Sequence, residues 1–170
     1  MRHWVLPAAT GAVMLASGSA SSAQALISGN YVLDDSQSDD VIQAVDSAVA
    51  GLSNATRAIV RPRMRKSCIC EPWLRMSSIA GRFSIKESTK PLIDLWTGGE
   101  PIKWQLNDGQ VFDVSAKADG EAVSLTVRGV YSEETIVYRS VGQQLMAETT
   151  IVSPRSSTPI RYRLVYNQAK

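Results

Sequence analysis

From Trp73 onward, apolar and polar residues alternate with period two almost to the end of the chain. The predicted strands are Leu74–Ala80, Phe83–Glu87, Leu92–Trp96, Ile102–Leu106, Gln110–Lys117, Glu121–Arg128, Thr135–Ser140, Gln144–Val152 and Ile160–Tyr166. The breaks between them carry turn residues: Gly81, Thr97-Gly98-Gly99, Asn107-Asp108-Gly109, Asp119-Gly120, Gly142, and the stretch from Pro154 to Pro159. Short strands at even spacing, joined by tight turns, predict an antiparallel meander. Most are neither wholly apolar nor strictly alternating, which fits a sheet with one solvated face.

Before Trp73 the pattern differs. Gly29 to Leu33 reads as a short first strand. Ser36-Gln37-Ser38-Asp39 fits an S-x-x-D cap. Val41, Ile42, Val45, Ala48, Val49 and Leu52 then form one apolar stripe at helical spacing. Gly51 is a natural stop. Beyond Asn54 a second short helix is expected, giving way to an irregular exit near Pro62, because proline breaks the helical hydrogen-bond ladder. A meander of this length exposes its edges unless it closes. The expected fold is mainly β: a meander curled into a barrel or clam, with one or two short helices after the first strand.

The N-terminus bears on compartment. Met1-Arg2-His3 is a positive start, Trp4 to Leu15 is apolar, and a small-residue tract ends in Ala23-Gln24-Ala25. That is the pattern of a secretory leader, residues 1–25, cut after Ala25, and it predicts export to the periplasm or beyond. The apolar run is too short, and too interrupted by Pro7 and Gly11, to span ~30 Å of hydrocarbon. The domain is then 26–170. The chain carries 18 Lys and Arg against 16 Asp and Glu. Losing Arg2 brings the balance almost to even, which argues against general nucleic-acid binding. The sequence carries no signal for an oligomeric state.

The only histidine, His3, leaves with the leader. Ser-His-Asp triads, Cys-His pairs and histidine metal sites are thereby excluded, and no cofactor is implied. Acid–base work by carboxylates alone would need two acids together. Glu133-Glu134 and Asp94 with Glu100 are the candidates, and nothing in the sequence joins them. The expectation is a protein that is not an enzyme.

RPRMRKSCIC, from Arg61 to Cys70, gathers four cations and both cysteines of the chain. In an oxidising compartment Cys68 and Cys70 fit a local disulfide, free or intermolecular thiols, or a redox pair. The cations fit a solvated face neutralised by the preceding Asp34, Asp35, Asp39, Asp40 and Asp46, an anion site at a barrel mouth, or a membrane-facing patch. Trp73, Trp96 and Trp104, with Tyr138, Tyr162 and Tyr166, fit either core filling or the lining of a ligand cavity.

Gly29-Asn30-Tyr31 resembles the G-x-W of the first strand in the calycin superfamily, which includes lipocalins and fatty-acid-binding proteins. Arg161 and Arg163 stand where a last-strand arginine packs over that aromatic. The helix directly after strand one is closer to the fatty-acid-binding pattern, and the chain also resembles small secreted bacterial proteins with a lipocalin-like domain. The resemblance implies a β-barrel that binds a small hydrophobic or amphipathic ligand. Trp73, Trp96, Trp104 and Tyr138 would supply contact area, and Arg61, Arg63 or Arg161 an anionic-headgroup contact. A barrel filled by its own side chains, serving protein interaction in the envelope, is the alternative.

Overall fold

A computed structural model describes residues 27–154 and 156–169. The expected leader, residues 1–25, lies outside the described residues.

The elements follow the predicted order. β1 is Gly29–Leu33, α1 is Val41–Val49 and α2 is Asn54–Ser67. The meander comprises β2 (Trp73–Ile79), β3 (Arg82–Glu87), β4 (Ile93–Trp96), β5 (Ile102–Gln105), β6 (Val111–Asp119), β7 (Ala122–Arg128), β8 (Glu133–Val141), β9 (Gln144–Ser153) and β10 (Ser156–Gln168). All ten strands form one antiparallel sheet, ordered β4-β3-β2-β1-β10-β9-β8-β7-β6-β5. The last strand returns to the first, with Leu33 opposite Tyr166 and Tyr31 opposite Gln168.

Only the β4–β5 seam lacks strand pairing. There the chain leaving β4 reaches across to β6: Thr97 bridges Ala116 in parallel, and Gly98 N–H donates to the Ala116 carbonyl at 2.7 Å. The sheet is therefore a nearly closed barrel, which disposes of the edge problem the meander posed. The β2–β3 connection is a tight two-residue turn in which Ala80 (φ 51°) and Gly81 (φ 82°) are both left-handed, a geometry matched to the twist of the flanking strands.

Alternation sets the core. Phe83 and Ile85 on β3, Val123 and Leu125 on β7, Ile136 and Tyr138 on β8, and Leu145 and Ala147 on β9 all turn inward and are buried. They join one continuous apolar cluster with α1, which contributes Val41, Val45 and Ala48. Burying a side chain such as Phe83 is worth about 2–3 kcal/mol relative to leaving it in water. Phe83 meets Tyr138 across the interior with ring centroids 6.2 Å apart.

The helices close one end. Asp40, not Ser36, caps α1, accepting from Gln43 N–H at 3.0 Å. Asp39 serves the neighbouring wall instead: its Oδ2 accepts from Arg163 N–H at 2.7 Å, and its own N–H donates to the Arg163 carbonyl at 2.9 Å. These bonds lay the β1–α1 segment against the part of β10 that runs past β1. The irregular exit expected at Pro62 is not found; α2 continues through it to Ser67. The helix buries no residue of its own. It is held by side chains: Arg57 donates to the Ala50 and Leu52 carbonyls at 2.5 and 2.9 Å, capping the end of α1. Arg61 and Arg65 both grip Asp46 of α1. The break expected over Pro154 to Pro159 is also shorter than predicted. β10 resumes at Ser156, and Pro159 sits beside a register irregularity between Ser156 and Ile160, where a ladder can tolerate a missing N–H.

Candidate ligand site at the helical end of the barrel

The register aligns one inner row across six strands: Ile102, Val114, Val127, Glu134, Ile151 and Ile160 are successive partners from β5 to β10. Every member but Glu134 is apolar. Glu134 occupies the same inward-facing series on β8 as the buried Ile136 and Tyr138. Among the described residues its carboxyl has no hydrogen bond and no ion pair. Burial raises its pKa, and the nearby Glu87 charge adds to that, while Lys90 works against both.

Next to it lies an ionic cluster on the β3–β4 connection. Lys90 Nζ is 2.7 Å from Glu87 Oε2 and 4.0 Å from Glu71 Oε1. Burial alone would depress the ammonium, but Glu87 and Glu134 outweigh it and keep Lys90 charged. Glu71 is buried and fully engaged: Thr89 donates to it from N–H at 3.0 Å and from its hydroxyl at 2.7 Å, and Ser88 donates a further hydroxyl bond. Burial opposes ionisation of Glu71, yet those donors prevail and hold its pKa below the usual value. Asn107 Nδ2 donates to the Thr89 carbonyl at 3.2 Å, which ties this connection to the β5–β6 turn.

The packing is looser at this end. Leu33, Phe112, Val127 and Ile151, with Leu106 just beyond β5, pack on the core yet stay only partly buried, and the strand residues among them lie on the half of their strands nearest the helices. Above them a cleft of ≈ 460 Å³ opens between the β1–α1 segment and the end of α2. Arg65, Asp40, Ile69, Cys68, Cys70 and Leu164 are among its lining residues. Cys68 and Cys70 face both ways. They line the cleft, and Glu134 and Lys90 influence the Cys68 thiol from the barrel side. The two thiols are not bonded to each other in this structure. Cys68 caps α2 and turns into the core, where burial pushes its pKa up to about 11. Cys70 is raised as well, chiefly by burial. Such thiols are poor nucleophiles, which disfavours the redox reading.

The residues singled out from the sequence scatter. Trp104 (7% exposed) and Tyr138 (2%) face the interior. Trp73 (42%) and Trp96 (61%) face outward, against the expectation that they line a cavity. The parity of β2 decides this for Trp73, since its inward positions are Leu74 and Met76. Arg61 lies on the outside of α2, its guanidinium occupied by Asp46. Arg63 is exposed on the same helix. Arg161 is exposed and lines a second, outer cleft of ≈ 430 Å³ between α1 and β10. Neither Arg161 nor Arg163 packs over Tyr31, because the register sets Tyr31 against Gln168, further along β10. None of the three arginines named for an anionic headgroup therefore reaches the barrel interior.

Glu71, Glu87 and Lys90 were missed by sequence reasoning, which considered Glu134 only with Glu133 and held that nothing joins two acids. Alternation carried part of the signal. Phe83-x-Ile85-x-Glu87 and Glu134-x-Ile136-x-Tyr138 each place a carboxylate in an otherwise apolar inward series.

No family model matches this sequence, and no curated protein matches it by sequence. Solved structures resemble it in fold. A REP1-NXSQ fatty acid transporter superposes with a TM-score of 0.56 at 12% identity, covering 85% of this chain and 96% of its own. A secretary abundant heat soluble protein from Ramazzottius varieornatus gives 0.60 at 10% identity, covering 84% and 95%. The fatty-acid-binding protein of Manduca sexta gives 0.52 at 18% identity, covering 82% and 97%. The fold is a calycin-like barrel, here built from ten strands with two short helices over one end.

Proposed function

We propose that this chain is an exported, non-enzymatic binding protein that holds a small apolar or amphipathic molecule in the helical end of its barrel. The observation that carries the reading is the loosely packed helical end, where Leu33, Phe112, Val127 and Ile151 stay only partly buried around the inward-facing Glu134, beside a cleft of ≈ 460 Å³. Ligand sites are mostly apolar with a few placed polar groups, and this end of the barrel has that make-up. A fatty acid transporter and a fatty-acid-binding protein share the fold, which supports the same class of ligand. The leader pattern at residues 1–25 supports export. Native mass spectrometry of protein purified from its host tests both points. The expected result is a chain beginning at Leu26 with a retained small molecule. A ligand-free chain that also fails to take up a neutral apolar dye such as Nile red overturns the binding reading.

One observation favours the alternative of a filled barrel used for protein contact. Away from the helical end the inward side chains, Val123, Leu125 and Leu145 among them, are almost completely buried by one another. The same dye experiment separates the two readings.

A further inference from the structure

Nothing in apolar binding calls for two thiols, yet Cys68 and Cys70, the two cysteines of the chain, stand together at the helical end. Both line the cleft of ≈ 460 Å³ between the β1–α1 segment and the end of α2, and they are not bonded to each other. α2 ends at Cys68, whose N–H donates to the Met64 carbonyl at 2.9 Å. The backbone bends at Cys68 (φ −92°, ψ 68°), close to the geometry of an inverse γ-turn. Cα atoms two residues apart are at most about 7 Å from one another. The sulfurs are near enough to interact, since negative charge on Cys70 is felt at the Cys68 thiol.

The donor set narrows what such a pair can hold. Sulfur is a soft donor and selects thiophilic ions over magnesium or calcium. Among the described residues no group of three or more histidine, cysteine, aspartate and glutamate side chains is placed to hold a metal ion. A closed four-ligand zinc site is therefore not on offer. Two thiolates alone satisfy a soft monovalent ion such as Cu(I), which takes two sulfurs in line. Two metal–sulfur bonds of about 2.3 Å each span about 4.6 Å in that arrangement.

The surroundings suit a cation on its way in. Asp35, Asp39 and Asp40 line the same cleft, and the charges of Asp35 and Asp40 reach Cys70. Negative potential in a cleft raises the local concentration of cations. Binding exchanges two S–H bonds for two sulfur–metal bonds and releases two protons to solvent, with no electron transferred. The product carries one negative charge, opposite in sign to Arg65 in the same lining. Cys68 is buried and Cys70 half-buried, so the bound ion would be shielded from water.

We propose that Cys68 and Cys70 form a two-coordinate site for a soft monovalent metal ion of the Cu(I) and Ag(I) kind on the floor of the cleft.

The test offers Cu(I), kept reduced by ascorbate without oxygen, to the purified protein in competition with the coloured chelator bicinchoninate. The thiols are reduced beforehand and the reductant removed. The protein is expected to withdraw one Cu(I) per chain, read as loss of the chelator's colour and gain of ultraviolet thiolate-to-copper absorption. Cys70→Ala and Cys68→Ala should each abolish the withdrawal. Circular dichroism checks that they fold, and Cys70→Ala, at the half-buried position, decides the matter if Cys68→Ala does not fold. Zn(II) should stay with a coloured zinc indicator in the same format. Failure to withdraw Cu(I) overturns the proposal. So does withdrawal that survives in a folded single variant, one ion shared by two chains, or capture of Zn(II) in place of Cu(I). The Nile red experiment is independent of all these outcomes, so the apolar-binding reading stands or falls separately.

Discussion

Lys90 Nζ stands 2.7 Å from Glu87 Oε2, so the β3–β4 connection is clasped to the end of the strand it has just left. Glu87 is buried on the inner wall, and Lys90 is the only cation within 4 Å of it among the described residues. Removing one partner of such a pair leaves an uncompensated charge, which costs more than the pair contributes. Lys90→Met should therefore destabilise the fold by about 2–3 kcal/mol, while Lys90→Arg should retain most of the stability. Urea unfolding measures both. A Met variant within about 0.5 kcal/mol of the parent would show that Glu87 finds its compensation elsewhere.

Glu134 and Glu71 pull stability in opposite directions with pH. The folded pKa of Glu134 is raised, so its protonated form favours the fold at low pH, and that contribution is lost as pH rises through the folded value. Glu134→Gln should be more stable than the parent at neutral pH, with the gap closing below the ordinary glutamate range. Glu71 has a lowered pKa, so its contribution is present above the ordinary range and lost as the pH falls through the folded value. Glu71→Gln should lose stability at neutral pH and converge with the parent in acid. Chemical denaturation across acidic to neutral pH reads both curves. Parallel curves for either variant would contradict the assigned environment.

The state of the cysteines is directly measurable. With its pKa pushed up to about 11 by burial, the Cys68 thiol should react with an alkylating reagent at mildly alkaline pH far more slowly than an unfolded thiol. Denaturant without reductant should then expose two reactive thiols per chain. Two thiols appearing only after reductant is added would show a bridge between Cys68 and Cys70 in the purified protein. Rapid labelling of the native protein would show that the floor of the cleft opens readily.

Asp46 is the hinge pin of the helical end. It receives Arg61 and Arg65, and their hydrogen bonds hold its pKa well below the usual carboxylate range. Because α2 buries no residue of its own, Asp46→Asn should free that helix without unfolding the barrel. Hydrogen exchange is expected to accelerate over α2 and stay slow over β7, β8 and β9. Uniform acceleration, or none, would mean that α2 is held by something other than these two arginines. The charge attraction is exposed, so added salt should mimic the variant in part.

How much of this was legible beforehand follows from what each feature depends on. Strand order and turn positions are local: alternation from Trp73 onward, with glycine-rich turns such as Asn107-Asp108-Gly109 between, was enough to lay out the meander. The α1 stripe was equally readable, and Val41, Val45, Ala48 and Val49 are its buried residues. The pairing of the basic segment with the acidic one before it was also foreseen as charge neutralisation, and Asp46 bears it out for Arg61 and Arg65. Pro62 misled, because a proline costs a helix one hydrogen bond, and the grip on Asp46 together with the Arg57 cap holds α2 on either side of it.

Composition and periodicity by themselves determined a barrel-forming chain with its helices set after the first strand, because those properties reside in neighbouring residues. Only the tertiary structure decided that Trp73 and Trp96 face outward, that three arginines stay outside, and that Glu71, Glu87, Lys90 and Glu134 meet under the helices. That meeting depends on register around a closed sheet. Register couples residues far apart in the chain, and a shift of one position would have turned Glu134 out to water.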